Sequence, residues 1–104
     1  MTTYKVIIET KAIEDLYGIL GYVSNVLLAP DTGRRLFAAL HEQILSLENF
    51  PAIYPIVRLE PYKSLGVRLM PIKNYNAFYI INKQTSTVHI LRILYQRRNW
   101  QDIL

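Results

Sequence analysis

One short segment of this chain is apolar at every position, and it limits the folds that the chain can form. Residues 77–81 read Ala-Phe-Tyr-Ile-Ile and are flanked by Asn76 and Asn82. A strand with one face in water alternates apolar and polar residues, whereas a strand covered on both faces does not. We therefore predict a central strand at 77–81 that is buried on both faces.

Two segments before this strand have apolar residues at helical spacing. An expected strand at 4–9 precedes the first helix, which Thr10 is placed to cap. Pro30 and Asp31 break the pattern, so the second helix is expected from about Thr32 to Leu47. The short connection predicts an antiparallel helical hairpin. The two stripes are Ile13, Leu16, Tyr17, Leu20 and Val23, then Leu36, Phe37, Leu40, Ile44 and Leu47.

Two glycines in the first helix, Gly18 and Gly21, weaken it and suggest close approach to a neighbouring helix.

The second half of the chain predicts a meander of short strands. Its segments are a short edge strand at 57–59, a strand at 66–72 ending at an edge or bulge at Pro71, a turn at 74–76, a hairpin loop at 82–87, a strand at 88–95 and a short helix or tail at 100–104. The prediction is a single α+β domain over residues 1–104. A helical hairpin packs on a mostly antiparallel sheet of four to five strands, in the order β-α-α-β-β-β(-β)-α.

Charge is distributed unevenly along the chain. Residues 1–54 hold four basic and six acidic side chains, a formal charge of −2, whereas residues 55–104 hold eight basic and two acidic ones, a formal charge of +6. A basic half is typical of proteins that bind a polyanion or an acidic protein. It can equally be a solubilising surface.

Several classes of site are excluded or disfavoured by residue content. The chain has no cysteine, which excludes disulfides, thiolate metal sites and a cysteine nucleophile. The four glycines stand too far apart for a phosphate loop, and His41 and His89 lack a carboxylate cluster. We expect no metal and no cofactor. The chain shows neither a membrane-spanning run nor a signal-peptide pattern, so we expect a cytoplasmic protein without a membrane partner.

Basic and aromatic residues around the last strand could form a site for RNA. Cleaving RNA without a metal requires activation of the 2′-hydroxyl, neutralisation of the phosphate charge and protonation of the leaving oxygen. Arginine binds phosphate through a planar fork, and aromatic rings stack on unpaired bases. The residues that suggest such a site are Arg68, Arg92, Tyr95, Arg97, Arg98 and Trp100. Each also has a structural explanation, since strand tyrosines usually pack and Arg92 could shield a sheet edge.

Four segments carry a resemblance to the RelE/ParE toxin superfamily, in the family's order along nearly the whole chain. The opening 4–16 resembles its "Y-x-V-x-x-T-x-x-A-x-x-D-L" start, and 47–51 its "L-x-x-x-P". Residues 65–81 are similar to the "LGxR … Y-x-x-F/V-Y" core, and 88–100 to the final strand with its basic end. The resemblance implies a toxin encoded beside an antitoxin, which would wrap over it and neutralise it. Operator DNA would be reached only through the antitoxin.

The resemblance leaves the mechanism open between two targets. RelE-like members cut mRNA in the ribosomal A site, and ParE-like members inhibit DNA gyrase without implied catalytic residues. Our leading hypothesis from sequence is ribosome-dependent mRNA cleavage. Its predicted catalytic set is Arg68, His89, Tyr95 and Arg97, with Arg97 at the family's phosphate-contacting position, and its predicted RNA- or phosphate-binding set is Lys63, Lys73, Arg92, Arg98 and Trp100.

Two departures from the RelE-like pattern support the gyrase alternative. Asn76 occupies the place where RelE-like ribonucleases often carry an arginine, and the C-terminal segment offers Trp100 in place of a tyrosine. A third possibility is a decayed toxin that only binds its antitoxin.

Overall fold

A four-stranded sheet carries two helices on one face in the computed structural model, which describes residues 3–104. The strand order is β1-β4-β3-β2, with β1 parallel to β4 and the other neighbours antiparallel. In chain order the elements are β1 (Lys5–Ile8), α1 (Thr10–Gly21), a π-helical turn (Tyr22–Val26), α2 (Pro30–Ser46), β2 (Arg68–Ile72), β3 (Tyr75–Asn82), β4 (Thr87–Tyr95) and a final 3₁₀ turn (Trp100–Asp102).

The predicted fold class is confirmed. The helical hairpin packs on a mixed sheet that is antiparallel except for the β1–β4 pair. β3 lies inside the sheet, and Ala77, Phe78 and Tyr79 are fully buried as the apolar run predicts, whereas Ile80 and Ile81 are only partly buried. Pro71 lies on the edge strand β2, where a missing backbone N–H is tolerated.

Both faces of the sheet carry a hydrophobic core, because successive strand residues point to opposite sides. The helix-side core joins Leu40 and Ile44 of α2 to sheet residues such as Tyr79 and Ile90. The outer-face core is centred on Val67, Phe78 and Leu94. It is covered by Tyr62 and by the end of the chain, Trp100, Ile103 and Leu104.

The helices begin differently from the sequence prediction. Thr10 is the first helical residue of α1, and Glu9 precedes it as a cap without a side-chain hydrogen bond to the helix. The Glu9 carboxylate contacts His89 instead. Pro30 does not break α2 but starts it, because a proline in the first helical turn removes no intrahelical hydrogen bond.

The two α1 glycines do not mediate close approach, contrary to our expectation. A Cβ added to Gly18 or Gly21 would meet nothing within 4 Å. Gly33 of α2 has that role, because a Cβ there would lie 2.5 Å from Oγ of Ser24 in the π-helical turn. The link then continues through Leu28, whose φ of 52° is costly for a branched side chain by about 1 kcal/mol.

Two local predictions in the second half are wrong in detail. The segment 57–59 is not a strand, and only Ile56 forms an isolated bridge, with Arg68. The turn between β2 and β3 lies at 73–74, and Lys73 adopts the positive φ of 53° that such a tight turn requires. The short helix or tail predicted at 100–104 is a 3₁₀ turn at Trp100–Asp102 followed by two residues. No helix within residues 3–104 is long and apolar enough to span a membrane.

Candidate functional site

One end of the sheet gathers exposed basic and aromatic side chains from two turns. The β2–β3 turn brings Lys73, β3 begins there with Tyr75, and β4 ends there with Tyr95. Gln96 ties the two turns together, because its backbone N–H donates to Asn74 O at 2.9 Å and its Nε2 donates to Lys73 O at 3.1 Å. We call Lys73, Tyr75, Tyr95, Arg97 and Arg98 the basic end of the sheet.

The three cations of the basic end are exposed. Within residues 3–104, none of them forms an ion pair with a carboxylate. Three unneutralised positive charges close together create a field that attracts an anionic partner. The basic end is therefore suited to bind phosphate or carboxylate groups.

A cavity of about 680 Å³ opens beside the basic end, between α1 with the π-helical turn and the ends of β3 and β4. Tyr75 and Tyr95 form one wall, with ring centroids 5.8 Å apart and planes inclined at 59°. Burial, reinforced by the neighbouring Tyr95 and Tyr22, raises the pKa of Tyr75. Tyr75 therefore stays protonated near neutral pH and can donate a hydrogen bond but is a poor base. The other lining residues are Glu14, Asp15, Gly18, Ile19, Tyr22, Val23, Leu27, Ile93, Leu94 and Arg98.

Arg68, a predicted catalytic residue, is held by the segment after α2. Its Nη1 donates to Tyr54 O at 2.6 Å. Its cross-strand neighbour Tyr79 donates its hydroxyl to Pro51 O at 2.7 Å. Burial raises the pKa of Tyr79 to about 12, against the opposing influence of the Arg68 charge. Together Arg68 and Tyr79 attach this segment to the sheet.

Arg92, predicted to bind phosphate, forms a two-pronged ion pair with Asp15 of α1. Nε and Nη2 donate to the two carboxylate oxygens at 2.7 and 2.8 Å, and the Ile93 backbone N–H donates to the same carboxylate at 3.0 Å. β1 pairs with β4 only as far as Ile90, so no β1 carbonyl is opposite the Ile93 N–H, and the Asp15 carboxylate accepts its hydrogen bond instead. The hydrogen bonds to Asp15 raise the pKa of Arg92.

His89, the other predicted proton-transfer residue, is also engaged on both ring nitrogens. Nδ1 lies 2.7 Å from Glu9 Oε1, and Nε2 lies 3.0 Å from Thr87 Oγ1. Its neighbours Val88 and Ile90 point into the helix-side core, so His89 lies on the outer face of the sheet.

The remaining predicted residues are spread over the surface. Trp100 packs against Phe78 and Tyr62 with ring centroids 5.2 and 5.4 Å apart, so its ring covers the outer-face core. Lys63 is exposed in the loop between α2 and β2. Arg98 lines the cavity, and Arg97 is exposed beside it.

The structure brings together only part of the predicted catalytic set. Tyr95 and Arg97 share the basic end, while His89 lies six residues earlier on β4, about 20 Å away at strand spacing, and on the opposite face. Arg68 lies opposite Tyr79 of β3, which is four residues, or about 13 Å at strand spacing, from Tyr75 at the basic end. Arg68 is therefore also distant from the basic end.

Sequence reasoning missed three features of the site. Tyr22 lies outside the helical stripe, and its place in the cavity depends on the π-helical turn. Asp15 was visible as an acidic residue of the first helix, and Glu9 as the last residue of the strand predicted before it. Nothing in the neighbouring sequence indicated that they would pair with side chains 77 and 80 residues later.

Among residues 3–104, no group of three or more histidine, aspartate or glutamate side chains is placed to hold a metal ion.

Comparisons with known proteins identify related toxins. The family model described as "ParE toxin of type II toxin-antitoxin system, parDE" matches residues 6–100. A search among curated proteins gives no significant match. Among solved structures, the RelBE2 toxin–antitoxin complex from Mycobacterium tuberculosis has a TM-score of 0.67 at 26% identity and covers 90% of this chain and 99% of that chain.

Two further structures share the fold at 20% identity. The chromosomal ParDE system from P. aeruginosa has a TM-score of 0.73 and covers 89% of this chain and 96% of that chain. The archaeal RelE–RelB complex from Pyrococcus horikoshii has a TM-score of 0.54 and covers 93% of this chain and 99% of that chain.

Proposed function

The chain belongs to the ParE toxin family of type II toxin–antitoxin systems, and we propose that it arrests growth by binding DNA gyrase, without cutting RNA. A cytoplasmic location follows from that target. This proposal favours the second of the two mechanisms that the resemblance left open.

The observation that carries this proposal is the separation of the candidate catalytic groups. Metal-independent RNA cleavage needs a base, an acid and a cation around one phosphate. Here His89 lies on the outer face, and both its ring nitrogens have partners within the fold. Arg92 is paired with Asp15, and Arg68 donates to a backbone carbonyl about 13 Å along the sheet from the basic end, so neither guanidinium shares one phosphate position with Tyr95 and Arg97.

Features beside the basic end support recognition of a protein. The cavity is mainly apolar, and its wall of tyrosines presents large rings with hydroxyl groups, the residue type enriched where proteins bind one another. Tyr75 is a neutral hydrogen-bond donor at neutral pH, and burial raises its pKa further. An inhibitor that acts by occupying a protein surface needs such features and no general base.

We further propose that the antitoxin covers the basic end. Lys73, Arg97 and Arg98 have no carboxylate partner among residues 3–104, so an acidic antitoxin segment would neutralise them. Any contact with operator DNA would be made by the antitoxin.

Ribosome-dependent mRNA cleavage remains a second candidate, because Tyr95, Arg97 and Arg98 are close together and exposed. In that mechanism Arg97 would neutralise the phosphate and Tyr95 would move a proton.

Supercoiling of relaxed plasmid by purified gyrase tests the proposed function. We expect the isolated chain to inhibit supercoiling and the cognate antitoxin to restore it. A chain that stops growth in cells but leaves supercoiling unchanged at micromolar concentrations would refute gyrase as the target. A chain that is harmless in cells and inactive on gyrase would be a decayed toxin.

A further inference from the structure

The closed end of the helical hairpin exposes an unusual amount of apolar side chain. Tyr17 is 71% exposed, Tyr22 53%, Val26 65%, Leu27 55% and Leu28 81%. All five lie in the last turn of α1, the π-helical turn and the link to α2. We call these five residues the apolar tip. Summed over five residues of ordinary size, these fractions amount to on the order of 600 Å² of exposed surface, and Tyr22 and Leu27 line the same cavity.

The backbone holds this surface in place at an energetic cost. Leu28 has a φ of 52°, a conformation that leucine adopts rarely, and yet its side chain points into solvent. Gly33 lets Ser24 of the π-helical turn lie against α2, because a Cβ at Gly33 would be 2.5 Å from Ser24 Oγ. The left-handed Leu28 closes the π-helical turn, because the Ala29 N–H donates back to Val23 O at 3.1 Å, and glycine is the usual residue at such a position.

Charge indicates what kind of partner the apolar tip fits. Residues 16–30 contain no Asp, Glu, Lys or Arg. Nucleic acid presents phosphates to its partners and would find no cation here. The complementary surface is an uncharged, apolar surface on another protein, whereas the basic end suits an anionic partner.

The area that two apolar tips could bury is too small for a second copy of this chain to be the stable partner. Two apolar tips facing each other would bury about 1,200 Å² in total, the lower limit for a specific interface. A larger partner can extend the contact into the cavity, since Tyr22 and Leu27 belong both to the apolar tip and to the cavity lining.

We infer that the apolar tip is the surface with which the toxin binds its protein target, and that it docks on an uncharged apolar surface of gyrase. This inference rests on the proposed function and adds the location of the contact. It assigns the target to the apolar tip and the antitoxin to the basic end.

The chain offers a variant that removes the two most exposed side chains of the apolar tip without weakening the fold. Asparagine tolerates positive φ better than leucine, so Leu28→Asn should keep or raise the thermal midpoint. Combined with Tyr17→Gln, it removes the two most exposed tip side chains without changing net charge. Leu65→Asn is the matched control, because Leu65 is 65% exposed and lines a different cavity.

The test measures inhibition of gyrase supercoiling, antitoxin binding and solution mass for the wild type and both variants. We expect the tip variant to need at least tenfold more protein for half-inhibition, with unchanged antitoxin affinity, while Leu65→Asn behaves as wild type. Equal inhibition by the tip variant and the wild type overturns this inference and leaves the proposed function standing.

Other outcomes also decide the matter. Loss of antitoxin binding in the tip variant assigns the apolar tip to the antitoxin. A wild-type dimer that the tip variant converts to a monomer assigns it to self-association. Each of these results overturns the inference, and a wild-type chain that does not inhibit gyrase overturns both proposals.

Discussion

Replacing Asp15 by alanine should destabilise the protein by about 3 kcal/mol, the lower end of the range for removing one partner of a buried ion pair, because the Asp15–Arg92 pair is only partly buried. The Asp15 carboxylate accepts two hydrogen bonds from Arg92 and one from the Ile93 backbone N–H. The side chains of Arg92 and Asp15 are only 19% and 14% exposed, so water cannot readily replace the lost acceptor. The variant leaves a guanidinium and an N–H without partners at the edge of β4.

Urea denaturation at neutral pH measures this effect as a change in the free energy of unfolding. For a domain of about 100 residues, a loss of 3 kcal/mol lowers the thermal midpoint by roughly 10–20 °C. Arg97→Ala is the control, because exposed Arg97 has no ion pair among residues 3–104 and should change stability by less than about 0.5 kcal/mol.

A double-mutant cycle separates the ion pair from the effect of truncation. Asp15→Ala combined with Arg92→Ala should cost about 2 kcal/mol less than the sum of the single variants, because the double variant leaves no unpaired charge. Additive effects, or a loss below about 0.5 kcal/mol for Asp15→Ala, would refute a structural role for Arg92 and leave it available for phosphate.

Three further predictions follow from the geometry. The free energy of unfolding should fall by about 2–3 kcal/mol between pH 10 and 12, because Tyr79 ionises near pH 10 in the unfolded chain, whereas burial raises its pKa in the folded protein to about 12. Tyr79→Phe should reduce this alkaline loss, and an unchanged dependence of the free energy of unfolding on pH, measured by denaturation, would contradict the assignment. Gly18→Ala should raise the free energy of unfolding by up to about 1 kcal/mol, whereas Gly33→Ala should gain less than Gly18→Ala, because its Cβ displaces the Ser24 hydroxyl. A larger gain at Gly33 than at Gly18 would show that the hairpin packs differently. The double variant Arg97→Ala, Arg98→Ala should bind the antitoxin more weakly in calorimetric titrations, with a smaller dependence on salt and an unchanged thermal midpoint. If the double variant binds with wild-type affinity at low salt, the antitoxin does not bind at the basic end.

Local periodicity was enough to predict most elements of the fold. The apolar run at 77–81 and the stripes through Leu40 and Ile44 become the buried strand β3 and the helix-side core. The boundaries that failed depend on contacts outside the local sequence. Glu9 precedes α1 without capping it because its carboxylate contacts His89. The segment 57–59 forms no strand because strand pairing with β2 is limited to the isolated bridge between Ile56 and Arg68.

The candidate site was less predictable, because its chemistry depends on pairings distant in sequence. Sequence marks Arg68 and Arg92 as cations on strands but does not reveal that Tyr54 and Asp15 accept their hydrogen bonds. Strand alternation assigns Arg68 to one face, whereas the irregular register opposite Phe78 and Tyr79 and the order of the sheet decide where His89 and Tyr95 lie. The basic end was foreseeable as a charge cluster, while the cavity beside it was not.

The most direct test of a toxin without RNA chemistry is a reconstituted translation reaction to which the purified chain is added. Primer extension maps the ends of the mRNA, and supercoiling by gyrase is measured with the same preparation. We predict intact mRNA alongside inhibited supercoiling. New mRNA ends within the A-site codon that disappear with Arg97→Ala, together with normal supercoiling, would contradict this account and assign the basic end to RNA cleavage.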